Sequence, residues 1–198
     1  MLFHQVRGIL RNLGILIFDN VEDLDFAGPL EVFGTMSRLK LDSLQPFTIQ
    51  REGKDVKTVN GLRVTPEHSF RNCPGLQILM VPGGIGTRAE MKDHETLEFV
   101  KRNADSCELI LSVCTGALVL AAAGLLNGKR ATTHWAALKE LRMFPQVTVD
   151  RLRYVRDGKI VTSAGVSAGI DMALYVIQEL FGPSAAEDVA RDMEYPVQ

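Results

Sequence analysis

Cys114 stands where chemistry is easiest to place in this chain. It follows Leu109-Ile110-Leu111-Ser112-Val113, an apolar run short enough to be a buried strand. It precedes Gly116-Ala117-Leu118-Val119-Leu120-Ala121-Ala122-Ala123, a run of helix formers that Gly124 and Asn127-Gly128 bring to a stop. Only Cys114-Thr115-Gly116 separates the two, with the small residues Ser112 and Gly116 on either side. A strand that turns directly into a helix needs such residues, because its backbone segments nearly touch. This is the layout of a nucleophile elbow, which presents one side chain at a helix N-terminus and the carboxyl end of a sheet strand. Unpaired N–H groups and positive partial charge there predict a lowered thiol pKa. The alternative is a cysteine that is simply buried.

Two further strand ends carry unusual residues. Asp25 comes shortly after the apolar run Leu13–Phe18, where it is either a reactive carboxyl or the cap of a following helix. Gly83-Gly84 follows Leu76–Val81 and is either a tight turn or a pair of backbone N–H groups aimed at a ligand. His134 follows the short strand Arg130–Thr133. It could reach the same sheet edge and pair with Cys114, or be a partly buried histidine at a helix start. The stretch Gly84–Ala89 fits a GxGxxA fingerprint. Cys114 occupies the place where a ribose-binding acid would stand, which argues against nicotinamide binding. His4, His68, His94 and His134 form no HxxxH or HxH pattern, so a metal site is not expected.

The elements that must position these residues follow an alternating plan. Residues 1–11 read as an extension, and residues 12–198 as one domain. A helix opening at Gly28-Pro29, with Pro29 in its first turn, follows the first strand. Phe47–Arg51 is a strand, Val56–Thr65 a hairpin turning at Asn60-Gly61, and His68–Pro74 a loop. Thr87–Asn103 reads as one amphipathic helix and His134–Met143 as another. Arg156–Lys159 turns into the strand Ile160–Ser163, and the helix Ile170–Phe181 follows. Ser184 and Glu187 suggest a capping box on the last helix. Apolar strands without two-residue alternation, separated by helices, predict a single α/β domain with a mostly parallel, doubly wound sheet.

Composition narrows the partners. The 198 residues are 46% hydrophobic and 23% charged, with a net charge of −2, which gives no basis for nucleic-acid or acidic-membrane binding. Cys73, Cys107 and Cys114 form neither a CxxC nor a disulfide framework. With no signal-peptide core and no run of about 18 apolar residues, a cytoplasmic location is expected.

Taken together, the motifs resemble the ThiJ/PfpI superfamily from about Asn12 to Tyr195. They are Asp25–Phe33 (DFAGPLEVF), Val81-Pro82-Gly83-Gly84, Ser112–Gly116, Thr132–Trp135, Thr162–Gly165 and Gly169-Ile170-Asp171. Within it, the DxxGPxEVF and CTGA patterns are most similar to isonitrile hydratases and to the amidotransferase-like domain of AraC-type regulators. The resemblance implies a flavodoxin-like fold of the class I glutamine amidotransferase type. It implies Cys114 as nucleophile, Asp25 as its acid partner, and the amides of Gly84 and Thr115 as the oxyanion site. The Thr115 side chain would touch substrate, and His134 would be at most auxiliary. Peptidase-like members carry histidine where this chain has Thr115, and no distal His-x-Glu of a glutaminase is present. The implied activity is the hydration of an isonitrile to an N-substituted formamide, by a homodimer acting on a small molecule, with no metal or organic cofactor needed. The alternatives are a sensing or stress-response module without turnover, or a thiol-dependent amidase or glyoxalase. The chain's end at Gln198, without a basic tail, favours the free-standing enzyme and argues against DNA binding.

Overall fold

The structure, a computed structural model, describes residues 10–39 and 44–196. Strand β1 (Arg11–Leu16) starts the fold, so the expected extension lies almost wholly outside the described residues. Helix α1 (Asp23–Leu39) follows, then β2 (Leu44–Gln50). Strands β3 (Val56–Lys57) and β4 (Arg63–Val64) pair antiparallel as the Asn60-Gly61 signal predicts. Strand β5 (His68–Ser69) is a short edge strand where the sequence suggested only loop. Next come β6 (Ile78–Val81), α2 (Thr87–Glu90), α3 (His94–Ser106), β7 (Leu109–Val113) and α4 (Gly116–Ala122). Strand β8 (Arg130–Ala131) leads to a 3-10 turn (Trp135–Ala137) and α5 (Leu138–Leu141). Strands β9 (Thr148–Val149), β10 (Tyr154–Asp157) and β11 (Ile160–Ser163) precede α6 (Ala168–Phe181) and α7 (Pro183–Asp192).

Seven strands form the main sheet in the order β10-β11-β7-β6-β1-β2-β5, and every pairing is parallel except β10 with β11. Helices α1, α6 and α7 pack together against one face; α3 and α4 cover the other. The central strands are therefore enclosed on both sides. Ile78, Leu79, Met80, Val81, Ile110, Leu111 and Val113 have no exposed surface, which explains their unbroken apolar runs. The chain leaves β1 first toward β2 and later returns on the opposite side as β6. That reversal opens a crevice above the carboxyl ends of β1 and β6, the usual ligand position in an open parallel sheet. No helix among the described residues is long and apolar enough to cross a membrane.

Several boundaries differ from the sequence reading. Helix α1 begins at Asp23, so Pro29 lies inside it rather than in its first turn. Proline there removes one intrahelical hydrogen bond, and its ring lies close to Gly169 of α6. The single helix expected over Thr87–Asn103 is broken at Met91–Asp93, where the Asp93 carboxylate accepts the Thr96 N–H at 2.8 Å and starts α3. The helix expected from His134 shortens to the 3-10 turn and the single turn of α5. The Ser184–Glu187 capping box does not form. Helix α7 instead starts at Pro183, with Gly182 (φ 92°) as its cap.

Candidate active site

The elbow forms where the sequence places it. Strand β7 stays buried through Val113, and Cys114 then adopts φ 55°. That left-handed conformation costs a non-glycine residue about 1–3 kcal/mol and persists only where its surroundings fix it. Here the Cys114 N–H donates to the carbonyls of Ser163 and Ala164, both at 3.1 Å, and its own carbonyl accepts the Thr133 hydroxyl at 2.7 Å. Gly116 lets α4 start against the backbone of β6, since a Cβ there would run into the Val81 carbonyl.

Asp25 comes from the first turns of α1 and is fully buried. It does not cap the helix. Its Oδ2 accepts the Gly83 N–H at 3.0 Å, its Oδ1 accepts the Val166 N–H at 3.1 Å, and the carboxyl lies beside Cys114 across Gly83. Gly83 sits at the junction. A Cβ there would lie 2.6 Å from Asp25 Oδ2, 2.6 Å from the Thr115 nitrogen and 2.7 Å from Cys114 Cβ. No side chain fits at position 83 while the carboxyl and the thiol stay together. The start of α1 is braced by the β3–β4 hairpin, where Asp23 accepts the Thr58 hydroxyl at 2.7 Å and the Asn60 side-chain amide at 2.8 Å.

Burial dominates the electrostatics. It raises the Asp25 carboxyl to about 7, against the lowering effect of its bonds to Cys114, Gly83 and Val166. Burial, then the neighbouring Asp25 charge, pushes the Cys114 thiol up to about 12. The lowered thiol pKa expected from the helix terminus is therefore overturned. Helix α4 has only seven residues, and its terminal N–H groups do not outweigh desolvation beside a carboxylate. Between about pH 7 and 12 the pair carries one proton, shared between oxygen and sulfur.

Two outcomes follow from this coupling. In the fold, Asp25 keeps its proton to about pH 7, whereas the unfolded chain releases it near 3.8. Its contribution to stability is therefore complete below pH 4 and is lost as pH rises through 7, on the order of 4 kcal/mol in all. Unfolding free energies of wild type and Asp25→Asn, measured from pH 4 to 8, should diverge in favour of the variant as pH rises; a constant difference would show that Asp25 ionises as freely in the fold as outside it. The second outcome concerns sulfur. Removing the Asp25 charge should move the alkaline midpoint for iodoacetamide labelling of Cys114 to lower pH. An unchanged midpoint in Asp25→Asn would break the link between the two groups.

Thr115 is held from several sides. Its hydroxyl accepts the Gly84 N–H at 3.0 Å and lies 3.1 Å from both the Gly84 carbonyl and the Thr87 hydroxyl. Its backbone N–H and hydroxyl both lower the Cys114 thiol pKa, against the burial that raises it. The Gly84 N–H is thus committed to Thr115 rather than open to the crevice. His134 faces the same crevice, but its Nδ1 accepts the Ala136 N–H at 3.3 Å and its ring lies against Gly165. Beside burial, the groups that set the thiol's proton affinity are Asp25, which raises it, and Thr115, which lowers it. The crevice holds about 580 Å³; Ile85, Ala136, Ala137 and Val166 give it apolar walls, and Glu22, Arg88 and Glu140 line it too. Sequence reasoning missed Val166 and Thr87. Val166 follows the carboxyl end of β11, the strand beside β7, and that position was the available signal.

Residues 11–179 match the model of the DJ-1/PfpI family. An isonitrile hydratase of Pseudomonas putida is 41% identical over 183 residues, covering 92% of this chain and 78% of that protein. The HTH-type transcriptional regulator GbdR of Pseudomonas aeruginosa is 31% identical over 84% of this chain, which spans just under half (46%) of the regulator's length. Among solved structures, a ThiJ/PfpI family protein from Pseudomonas syringae superposes with a TM-score of 0.89 at 33% identity, covering 97% of this chain and 78% of that one. Drosophila melanogaster DJ-1beta shares the fold, with a TM-score of 0.85 at 20% identity over 96% of this chain and all of that one.

Proposed function

The chain belongs to the DJ-1/PfpI family, and from that premise we propose that it hydrates isonitriles to N-substituted formamides with Cys114 as nucleophile and Asp25 as proton carrier. The observation that carries the reading is the fully buried Asp25 carboxyl set beside Cys114 at Gly83, where a hydrolase would place an imidazole. An isonitrile carbon needs a proton as sulfur attacks it, and a carboxyl poised near pH 7 is suited to deliver one. The similarity to an isonitrile hydratase supports the same reading.

In the first half, the pair's shared proton resides on Asp25 and the sulfur is a thiolate. Sulfur bonds to the terminal carbon of R–N≡C, and Asp25 protonates that carbon, giving a thioimidate R–N=CH–S on Cys114. In the second half, water adds to this carbon. One of its protons reaches nitrogen and the other returns to Asp25 as the C–S bond breaks. The products are R–NH–CHO and the thiolate, so atoms and protons balance. Thr115 favours the thiolate form of sulfur, and Gly84 and Thr87 hold Thr115 in place. His134 lies beside the path as an auxiliary wall. Formation of N-cyclohexylformamide from cyclohexyl isocyanide tests the proposal; wild-type protein that forms none above a protein-free blank would refute it.

A second reading has its own observation. The similarity to GbdR leaves a small-molecule sensor, with binding but no turnover, as the competing account. Saturable protection of Cys114 by an isonitrile that is never converted would select it.

A further inference from the structure

The crevice contains one ion pair that the proposed chemistry does not use. Arg88 on α2 and Glu140 on α5 approach to 2.7 Å, and both line the space in front of Cys114. Among the described residues lining that space, Arg88 is the one lysine or arginine. Its remaining contacts are internal as well: the Gly84 carbonyl at 3.4 Å and the Thr87 hydroxyl at 3.3 Å. A second carboxylate, Glu22, lines the crevice and makes no ion pair among the described residues. The charge presented to an incoming molecule is thus one neutralised cation and one unneutralised anion, set among apolar walls.

We propose that the Arg88–Glu140 pair is the charge filter of the site: by occupying Arg88, Glu140 makes the crevice reject substrates with an anionic substituent and reserves it for uncharged ones. This inference rests on the isonitrile reading for the reacting group, while the filter itself acts on whatever substituent lies in the crevice. Both side chains are about two-fifths exposed, so the pair adds little to stability, and removing it leaves the fold intact. Freed from Glu140, the Arg88 guanidinium becomes a two-pronged carboxylate receptor facing the crevice.

The test uses two isonitriles, cyclohexyl isocyanide and isocyanoacetate, and their hydration products, N-cyclohexylformamide and N-formylglycine. Turnover reads the isonitriles; protection of Cys114 from iodoacetamide reads the products without requiring turnover. Wild type should favour the neutral member in both assays. Glu140→Gln should raise kcat/KM for isocyanoacetate and protection by N-formylglycine roughly three- to tenfold, the scale of a partly exposed ion pair. The gain should fade with added salt. Arg88→Met and the double variant should show no such gain. If neither isonitrile is converted but protection shifts as described, the hydratase reading fails and the filter stands. If wild type binds N-formylglycine as well as the neutral product, or Glu140→Gln leaves the preference unchanged, the filter is overturned.

Discussion

Cys114→Ala should lose isonitrile hydration by about 10⁴-fold or more, the scale on which removing a covalent nucleophile acts. The buried elbow gives alanine room, because it deletes one sulfur from a site whose backbone is fixed by Ser163, Ala164 and Thr133. Folding should survive, with a modest cost from the vacated volume. The comparison is the initial rate of formamide formation at matched folded protein, with far-UV circular dichroism as the control. A folded Cys114→Ala protein that retains a tenth of wild-type activity would remove sulfur from the mechanism.

Asp25→Asn should lower kcat by roughly 10²–10⁴-fold, the usual contribution of a positioned acid. The loss in rate should accompany faster alkylation of Cys114 at alkaline pH, since the same substitution removes the charge that holds the thiol up. Wild-type activity should also rise as pH rises through about 7, where the pair goes from two protons to the single shared one that the mechanism uses, and this limb should be absent from the residual activity of the variant. A wild-type rate indifferent to pH between 6 and 8, or an Asp25→Asn rate within twofold of wild type, would assign Asp25 to support rather than proton transfer.

The elbow was readable because its signal is local: a strand, one cysteine, a glycine and a helix in a dozen residues. The sheet was readable for the same reason, since strands buried on both faces leave continuous apolar runs. Asp25 stands out by its position after β1, although the helix that carries it starts at Asp23, earlier than Gly28-Pro29 suggests. Pro29 suggests a first turn by its own preference, whereas in the fold it lies inside α1, close to Gly169 far along the chain. The Asp93-x-x-Thr96 cap was present in the sequence, and helical periodicity ran across it. What could not be read is what depends on distant backbone. The Val166 N–H reaches Asp25 across 141 residues of sequence, from a β-branched residue at φ 54° that propensity would never suggest. The direction of the thiol's pKa also lay outside local reading: the helix end is visible in the sequence, whereas the depth of burial that opposes it is a property of the whole fold.

The central claim is that the isonitrile carbon becomes bonded to Cys114 before water takes it away. Rapid quenching in acid during turnover of cyclohexyl isocyanide, followed by peptide mass spectrometry, reads that bond directly. The account predicts a species heavier by one substrate molecule on the peptide carrying Cys114, absent from Cys114→Ala. It should rise in the first turnover and decay as N-cyclohexylformamide accumulates. Formamide released at an undiminished rate with no mass ever added at Cys114 would contradict it.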